Sequence, residues 1–573
     1  MRVYKLSICL FLISFLQIRA QSTIEGTVKD AIDFLAGANV TLKDTKFGTE
    51  TNLNGEFKIN CPEGTYIMEV SFIGFKTITK NINTTKGESL NLNFILKEDN
   101  FQLDNITIKT KTKAEKLRET SYAVEVIESE IFKNLSVNAN EILNKVSGVN
   151  IRQSGGFGED AVLSLNGLSG SQVRIFIDGI PMEFFGSSLS LNNFPANLIE
   201  QIEVYKGVVP IHLSADALGG AVNITTNKSN NSFMDASYSF GSFNTHIASV
   251  NAQYRDKASG FTARLKSFYN HSDNNYTVDV NLFNANTGKT DAFTTEVEHF
   301  HDAYNSKMIW LEGGLTNTKF ADELMFGIMY SDNYDEIQQY PNSIGIAATP
   351  FGEVTTTENK IISNFSFAKK GLLTENLNVK AYLVSVISEE FFEDIGNYKY
   401  NWFGERLFEV LTGEREIRKS QFTLNKENIL GNLRTEYSFS KKSNLALNYS
   451  LNSLHLYGND TYNEQNNASF SIPSTLNKSV LGLSYTNAFF DGKLNGTSFI
   501  KHYKYHNSSQ EADWGGTIIT PISIKKEHLG FGLTATYFLN DFQIKASFEN
   551  ALRFPRLVFH FQEWRVHQKS HLV

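Results

Sequence analysis

The chain has 573 residues and a net charge of −8, with only 2 Cys and 9 Pro, while aromatic residues reach 13% through 45 Phe and 23 Tyr. An acidic chain of this size lacks the basic footprint of a nucleic-acid binder, and after residue 20 no apolar run reaches the ~20 residues of a membrane-spanning helix. Abundant aromatics and scarce proline favour long strands, and a β-barrel stays open because its apolar residues occupy alternate positions.

Arg2 and Lys5 precede an apolar run at 6–16, and Ile18-Arg19-Ala20 puts a small residue before Gln21. That run is far below the ~20 residues a spanning helix needs, so residues 1–20 read as an export signal peptide. No cysteine stands at the cleavage point to carry a lipid. Only Cys61 survives cleavage, so an intramolecular disulfide is excluded, which fits a Gram-negative envelope.

Residues 22–97 alternate short strands with Gly, Asn and Asp turns, as in TIEGTVKD, AGANVTLKD, TETNLNGEFKI and GTYIMEVSFIGF. The pattern predicts a small antiparallel sandwich, with Asn54-Gly55 as a hairpin turn between 49–53 and 56–59. Gly26, Gly37-Ala38, Val40, Asn54-Gly55, Phe57, Gly64, Tyr66 and the run Ser71-Phe72-Ile73-Gly74-Phe75 resemble the carboxypeptidase-regulatory-like domain. That resemblance implies a transthyretin-like Ig sandwich without catalytic residues of its own.

Residues 98–116 are polar, with Lys109, Lys111, Lys113 and Lys116, and without a sustained period they read as a linker. Inside lies LDNITI, residues 103–108, which is either one more sandwich strand or an extended docking segment.

Asn138 and Glu141 have capping-box spacing, Ile142, Leu143 and Val146 form an apolar stripe, and Gly148 supplies a stop, so a short helix is predicted. In VRIFIDGIP, Val173, Ile175 and Ile177 alternate with Arg174, Phe176 and Asp178, and Asp178-Gly179 with Pro181 ends the strand in a turn. The order of the helix with Ser-Gly-Val, then LNGLSGSQVRIFIDGIP, LIEQIEVYKG and ALGGAVNITT, resembles the plug domain of TonB-dependent outer-membrane receptors over residues 112–227. The matching motif positions are Asn166, Gly167, Asp178, Gly179, Lys206, Gly207, Gly219, Gly220 and Asn223. Two departures stand out: Asn166-Gly167 replaces the usual Arg-Gly, and Val208-Val209-Pro210-Ile211-His212 replaces a Gly-Pro-Ala-Ser-like run.

By that resemblance Leu103, Asp104, Asn105, Ile106, Thr107 and Ile108 stand where the TonB box belongs. A β-branched extended segment can add as a strand to the TonB C-terminal domain, whose inner-membrane complex supplies the energy. Gly155-Gly156-Phe157-Gly158 lacks the Lys-Ser/Thr and helix of a phosphate loop and reads as a bend. Residues 182–194, MEFFGSSLSLNNF, are expected to form a plug loop facing the ligand, with Phe184 and Phe185 either stacking on it or packing on the wall.

From residue 230 the alternation lengthens. Leu445, Leu447, Tyr449 and Leu451 oppose Ala446, Asn448, Ser450 and Asn452; Phe261, Ala263 and Leu265 oppose Thr262, Arg264 and Lys266; Leu324, Phe326, Ile328 and Tyr330 share a face. Apolar-out, polar-in alternation is what lipid outside and a wet or plugged lumen require. Asp491-Gly492 and Asn540-Asp541 read as tight periplasmic turns, and 389–414 as a long extracellular connection. Residues 230–573 number 344, which at roughly 25 per strand gives about 14 strands against the about 22 of plugged transporters. The tail from Val558, with three His and no alternation, looks foreign. The expectation is a truncated or frameshifted receptor that forms no working pore as it stands. His299 and His301 beside Glu296 and Glu298 share a strand face if a strand runs there, yet no further ligand can be assigned, so no metal site is predicted.

The expected fold is therefore mainly β: an Ig-like sandwich at 22–97, a linker with TonB box at 98–111, an α+β plug at 112–227 and an incomplete antiparallel transmembrane barrel at 230–573. The resemblance implies a non-enzymatic outer-membrane importer of a ferric siderophore or other metal chelate, with lipid, TonB and that ligand as partners and no resident cofactor. A glycan importer working with a surface lipoprotein, and a barrel adhesin that transports nothing, are the alternatives.

Overall fold

The computed structural model describes residues 22–97 and 112–554, apart from 32, 73–74, 130–131, 133–136, 154, 160, 187–188, 214–216, 285–286, 339–348, 416–417, 463–466, 468–469, 471, 513–518 and 540–541. Residues 1–20, read as a signal peptide, the segment 103–108, the turn expected at Asn540-Asp541 and the tail from Val558 lie outside these described residues. The chain divides into two compact units, 1–110 and 111–573.

The first unit contains β1 (Ser22–Lys29), β2 (Asn39–Leu42), β3 (Gly48–Glu50), β4 (Glu56–Cys61), β5 (Gly64–Ser71), β6 (Ile78–Thr84), β7 (Ser89–Asn91) and β8 (Phe94–Ile95). One sheet has the order β4-β1-β7 with β8 also on β1, and the other has β3-β2-β5-β6. Ile24, Val28, Val40, Leu42, Phe57, Ile59, Met68, Val70 and the thiol of Cys61 fill the layer between them. Two expectations are corrected. The sandwich is mixed rather than antiparallel, because the chain returns after β6 to lay β7 and β8 parallel to β1. Asn54-Gly55 does not close a hairpin. It carries the chain from β3 in one sheet to β4 in the other, with positive φ at Gly55 alone, whereas a two-residue type I′ hairpin needs it at both central positions.

The second unit opens with α1 (Lys113–Arg118), where a linker was expected. Thr112 and Glu115 form a complete capping box that the absence of apolar periodicity conceals. Then come β9 (Val124–Glu128), α2 (Ala139–Leu143), β10 (Val149–Gln153), β11 (Ala161–Leu165), β12 (Leu168–Ser169), β13 (Val173–Ile177), β14 (Ile180–Pro181), β15 (Ile199–Lys206) and β16 (Gly220–Thr226). The helix predicted at Asn138 is α2, capped by the Asn138–Glu141 box; it ends at Leu143 with its cap at Asn144, so Gly148 is not its stop but turns the chain, at φ +81°, just before β10. The plug's main sheet has the order β14-β13-β16-β15-β9, beside a small β10-β11-β12 sheet. β13 lies inside that sheet, parallel to β16, and is buried on both faces rather than one.

Thirteen antiparallel strands form the wall, each paired with the next: β17 (Phe233–Gly241), β18 (Thr245–Arg255), β19 (Phe261–Ser272), β20 (Tyr304–Thr316), β21 (Glu323–Glu336), β22 (Thr355–Lys369), β23 (Leu377–Asp394), β24 (Ser420–Ser440), β25 (Ser443–Asp460), β26 (Ser474–Phe489), β27 (Leu494–Ala512), β28 (Ile519–Leu539) and β29 (Phe542–Asn550). Among the described residues the sheet is open, with β17 and β29 as its edges. Most strands exceed the about 9–11 residues a bilayer requires, so they project beyond it. β23 runs on to Asp394, five residues past the point where a loop was expected to begin.

Outward positions are apolar and exposed, as with Leu447, Tyr449, Leu451, Phe326 and Ile328, while Asn448, Thr262, Arg264 and Lys266 are buried inward. The inward face is not uniformly polar: Phe268, Met308, Trp310, Met329, Ile362, Val384 and Leu430 form one cluster with the plug. A sheet that faces a packed domain instead of water has to supply that domain with apolar contacts.

Candidate functional site

The motif residues build two type I′ turns. Asn166 and Gly167 have φ of +52° and +83°, and Asp178 and Gly179 of +52° and +82°. Asn is among the few non-glycine residues that tolerate this region, so it keeps the turn without the expected Arg. Asp178 does more than turn. Its carboxylate accepts from the backbone N–H and the hydroxyl of Thr226, at 3.0 and 2.6 Å. Asn223 Oδ1 accepts from Gly179 N–H at 3.1 Å, and its amide donates to Glu203 at 3.2 Å. Glu203 also accepts from Gln201 and Tyr205. The strand, its turn and both neighbouring strands thus share one buried network.

That network continues into the wall. Lys266 donates to Thr226 Oγ1 at 3.0 Å and pairs with Glu312 at 3.2 Å, its ammonium 4.0 Å above the Trp310 ring. Arg264 stands 3.9 Å from Glu312, and Lys228 lies between Asp178 at 3.8 Å and Glu323 at 3.6 Å. Three cations thereby face three carboxylates. Burial raises the Asp178 carboxyl, but Lys228, Lys266 and the Thr226 hydrogen bonds outweigh it and hold the group below its ordinary range. Of the wall residues only Arg264 and Lys266 were legible, as inward positions in FTARLKSF; nothing in the sequence tied them to Asp178, and Glu312 and Glu323 were not foreseen.

At the rim beside the described parts of the long connections, 273–284, 287–303, 349–354 and 395–415, the plug presents two loops. Phe157 exchanges backbone hydrogen bonds with the Asn274 amide, at 3.0 and 2.8 Å, and a Cβ at Gly158 would fall 2.2 Å from the Tyr304 ring. The glycine bend therefore exists for close docking on the wall. In the other loop, Asn193 donates to Tyr304 Oη at 2.7 Å. Phe185 is 1% exposed, its ring 6.2 Å from that of Trp310, which is wall packing. Phe184 is half-buried and lines a cavity of about 60 Å³ with Arg174, Pro181, His212, Tyr382 and Lys478. Burial, with Arg434 and Lys380 nearby, holds the His212 imidazole well below its ordinary pKa.

The remaining motif residues have structural work. Lys206 pairs with Glu125 at 2.6 Å, joining β15 to β9. Gly220 has φ +125°, and a Cβ there would fall 2.2 Å from the Tyr205 carbonyl oxygen. Gly207, at φ +98°, turns the chain after β15. Gly219 packs on Leu168. His299 and His301 lie beyond a short strand that ends at Glu298, so they do not share a strand face as expected. His299 stacks on Tyr276 and meets Asp302 at 3.0 Å, while His301 contacts Val354 O and Glu336. Among the described residues no group of three or more His, Cys, Asp or Glu could hold a metal.

Residues 24–108 match the CarboxypepD_reg-like domain family and residues 116–221 the TonB-dependent Receptor Plug Domain family. The first match runs through the segment 103–108. The fold is similar to the Copper transporter OprC (TM-score 0.55, 12% identity, 76% of this chain and 65% of that one). It is also similar to the FrpB iron transporter of Neisseria meningitidis (0.53, 12%, 76% and 65%) and to the siderophore receptor PiuA of Acinetobacter baumannii (0.50, 13%, 73% and 62%). The chain spans about two thirds of the length of these transporters. The chain thus carries a CarboxypepD_reg-like domain at 24–108 followed by a TonB-dependent receptor plug domain at 116–221, the plug seated against a strand wall with the fold of these transporters.

Proposed function

We propose that the protein imports a scarce metal chelate, of the ferric siderophore class, across the outer membrane of a Gram-negative cell. The observation that carries this reading is a plug bound to the inner face of a lipid-exposed wall by both an apolar cluster and a buried charge network. Such a plug blocks passive flow, so transport needs work delivered from outside the membrane.

In this reading the ligand binds at the rim formed by the long connections and the two plug loops. TonB pairs with residues 103–108, draws on the chain ahead of α1 and remodels the plug. That the similar structures are a copper transporter, an iron transporter and a siderophore receptor supports a metal chelate over a glycan. Uptake of radiolabelled ferric chelates by cells expressing the receptor tests it. Deletion of 103–108 should abolish uptake and leave surface binding intact; undiminished uptake would sink the mechanism.

A further inference from the structure

Residues 118–122 lead from α1 into β9, and apart from Tyr122, whose ring packs against the cluster of Val208, Ile211, Ala446 and Phe499, they meet the wall through polar groups. Lys545 Nζ on β29 donates to three backbone carbonyls: Arg118 at 2.6 Å, Tyr122 at 2.7 Å and Thr120 at 3.0 Å. Thr536 Oγ1 on β28 donates to the same Thr120 oxygen at 2.9 Å. Ser121 Oγ accepts from Thr534 Oγ1 at 2.7 Å and lies 2.7 Å from Thr497 Oγ1 on β27. Asn495 Nδ2 adds a contact to Glu119 O at 3.4 Å. Ser121, Thr497, Thr534 and Thr536 are all buried.

An ammonium has three N–H donors and no acceptor, so three carbonyls at these distances satisfy it completely. Charged donors also make the stronger hydrogen bonds. The three carbonyls lie on alternate residues of one turn of chain, and a single side chain pins them together. Chain order then matters: tension applied ahead of Thr112 reaches α1, next this contact, and only afterwards the first plug strand, β9. Beyond it the plug becomes apolar at once, with Tyr122 edge-on to Tyr205 at 6.4 Å.

We propose that Lys545 is a positioning residue that clasps residues 118–122 onto β27–β29, and that this clasp is the first contact between plug and wall to open under tension from the N-terminal side, after the contacts of α1 within the plug itself. The mechanical role rests on the import reading above; the clasp itself does not, and its test needs neither ligand nor TonB.

Hydrogen exchange of the detergent-solubilised full chain reads it directly. In Lys545→Met, amides of 113–122 should exchange about tenfold faster, the scale set by losing a charged hydrogen bond, while those of 199–206 in β15 keep wild-type protection. Adding S121C/T534C to that variant should restore protection when oxidised and not when reduced. Should Lys545→Met fail to fold, shown by lost protection at 199–206, the pair Thr534→Val and Thr536→Val reads the same segment. Exchange at 113–122 within twofold of wild type in a folded variant overturns the clasp. A receptor that shows all these exchange changes yet imports no ferric chelate would reject the import reading and leave the clasp standing.

Discussion

The plug touches its wall in two chemically different ways. Toward β19–β24 the contact has a dry core, where Phe185, Met182, Leu189 and Leu191 pack with Phe268, Met308, Trp310, Met329, Ile362, Val384 and Leu430, edged by the charge network at Lys266. Toward β27–β29 hydroxyls, carbonyls and one ammonium predominate, beside a small apolar cluster of Tyr122, Val208 and Ile211 with Ala446 and Phe499. Separating the dry contact exposes apolar surface with nothing to replace it. The polar contact can exchange each hydrogen bond for one to water, so its net contribution per bond is small. A plug built this way is held firmly on one side and releasable on the other, and the releasable side is where its leading segment lies.

The sharpest way to break this comparison is on the dry side. Phe185→Ala should destabilise plug seating by about 3–5 kcal/mol, the usual result of emptying a packed aromatic site. Limited proteolysis of the plug during thermal unfolding in detergent reads the change. A cost near that of a surface substitution would mean that the cluster does not hold the plug.

Next in size is the charge network that flanks the apolar contact on β19–β21. Lys266→Met leaves Glu312 buried without its nearest cation and should cost about 3 kcal/mol or more, whereas adding Glu312→Leu should recover most of it. Thermal unfolding of the single and double variants distinguishes these outcomes. Equal loss in both would show that the hydrogen bond to Thr226, and not the ion pair, matters.

A smaller effect is expected at the rim. Gly158→Ala puts a Cβ into the Tyr304 ring at a backbone angle that L residues avoid and should cost about 1–3 kcal/mol. Hydrogen exchange localised to 155–159 would report it, with β13 unaffected.

The two sides were unequally legible in the sequence. Strand alternation announced the apolar outward band correctly, because an apolar surrounding imposes one rule on neighbouring outward positions such as Phe326, Ile328, Leu447, Phe531 and Leu533. The turn residues Asn166-Gly167 and Asp178-Gly179 were equally readable, since positive φ restricts the choice of residue locally. The inward face obeys no single rule. Whether an inward residue meets plug, ion or water depends on segments more than a hundred residues away, as with Phe185 on Trp310 or Lys545 on Thr120. α1 was missed for a different reason: its Thr112–Glu115 box was present, but six residues cannot display a period. The Asn54-Gly55 error has the same root. The dipeptide specifies a turn, but which sheet receives the next strand is decided by packing.

The smallest expected effect concerns the connections above the plug. Glu414 accepts from the backbone N–H of Gly352 and Glu353, at 2.5 and 2.8 Å, and so joins 395–415 to 349–354. Lys399 binds the Glu414 carbonyl, and the Asp394 carboxylate accepts from Glu414 and Arg415 N–H. Burial, reinforced by the Asp394 and Glu353 carboxylates, pushes the Glu414 carboxyl up to about 7 despite its two donors. A raised carboxyl pKa favours the proton-bound form in the folded loops. Their stability is therefore fully present below the ordinary value near 4.5, falls as pH rises toward 7, and is level above that. Glu414→Gln carries no such proton, so exchange protection across 349–354 and 395–415 should become flat between pH 5 and 8. A wild-type profile that is already flat, or one that rises with pH, would show that the two backbone donors outweigh burial and that these loops are held by a charged carboxylate.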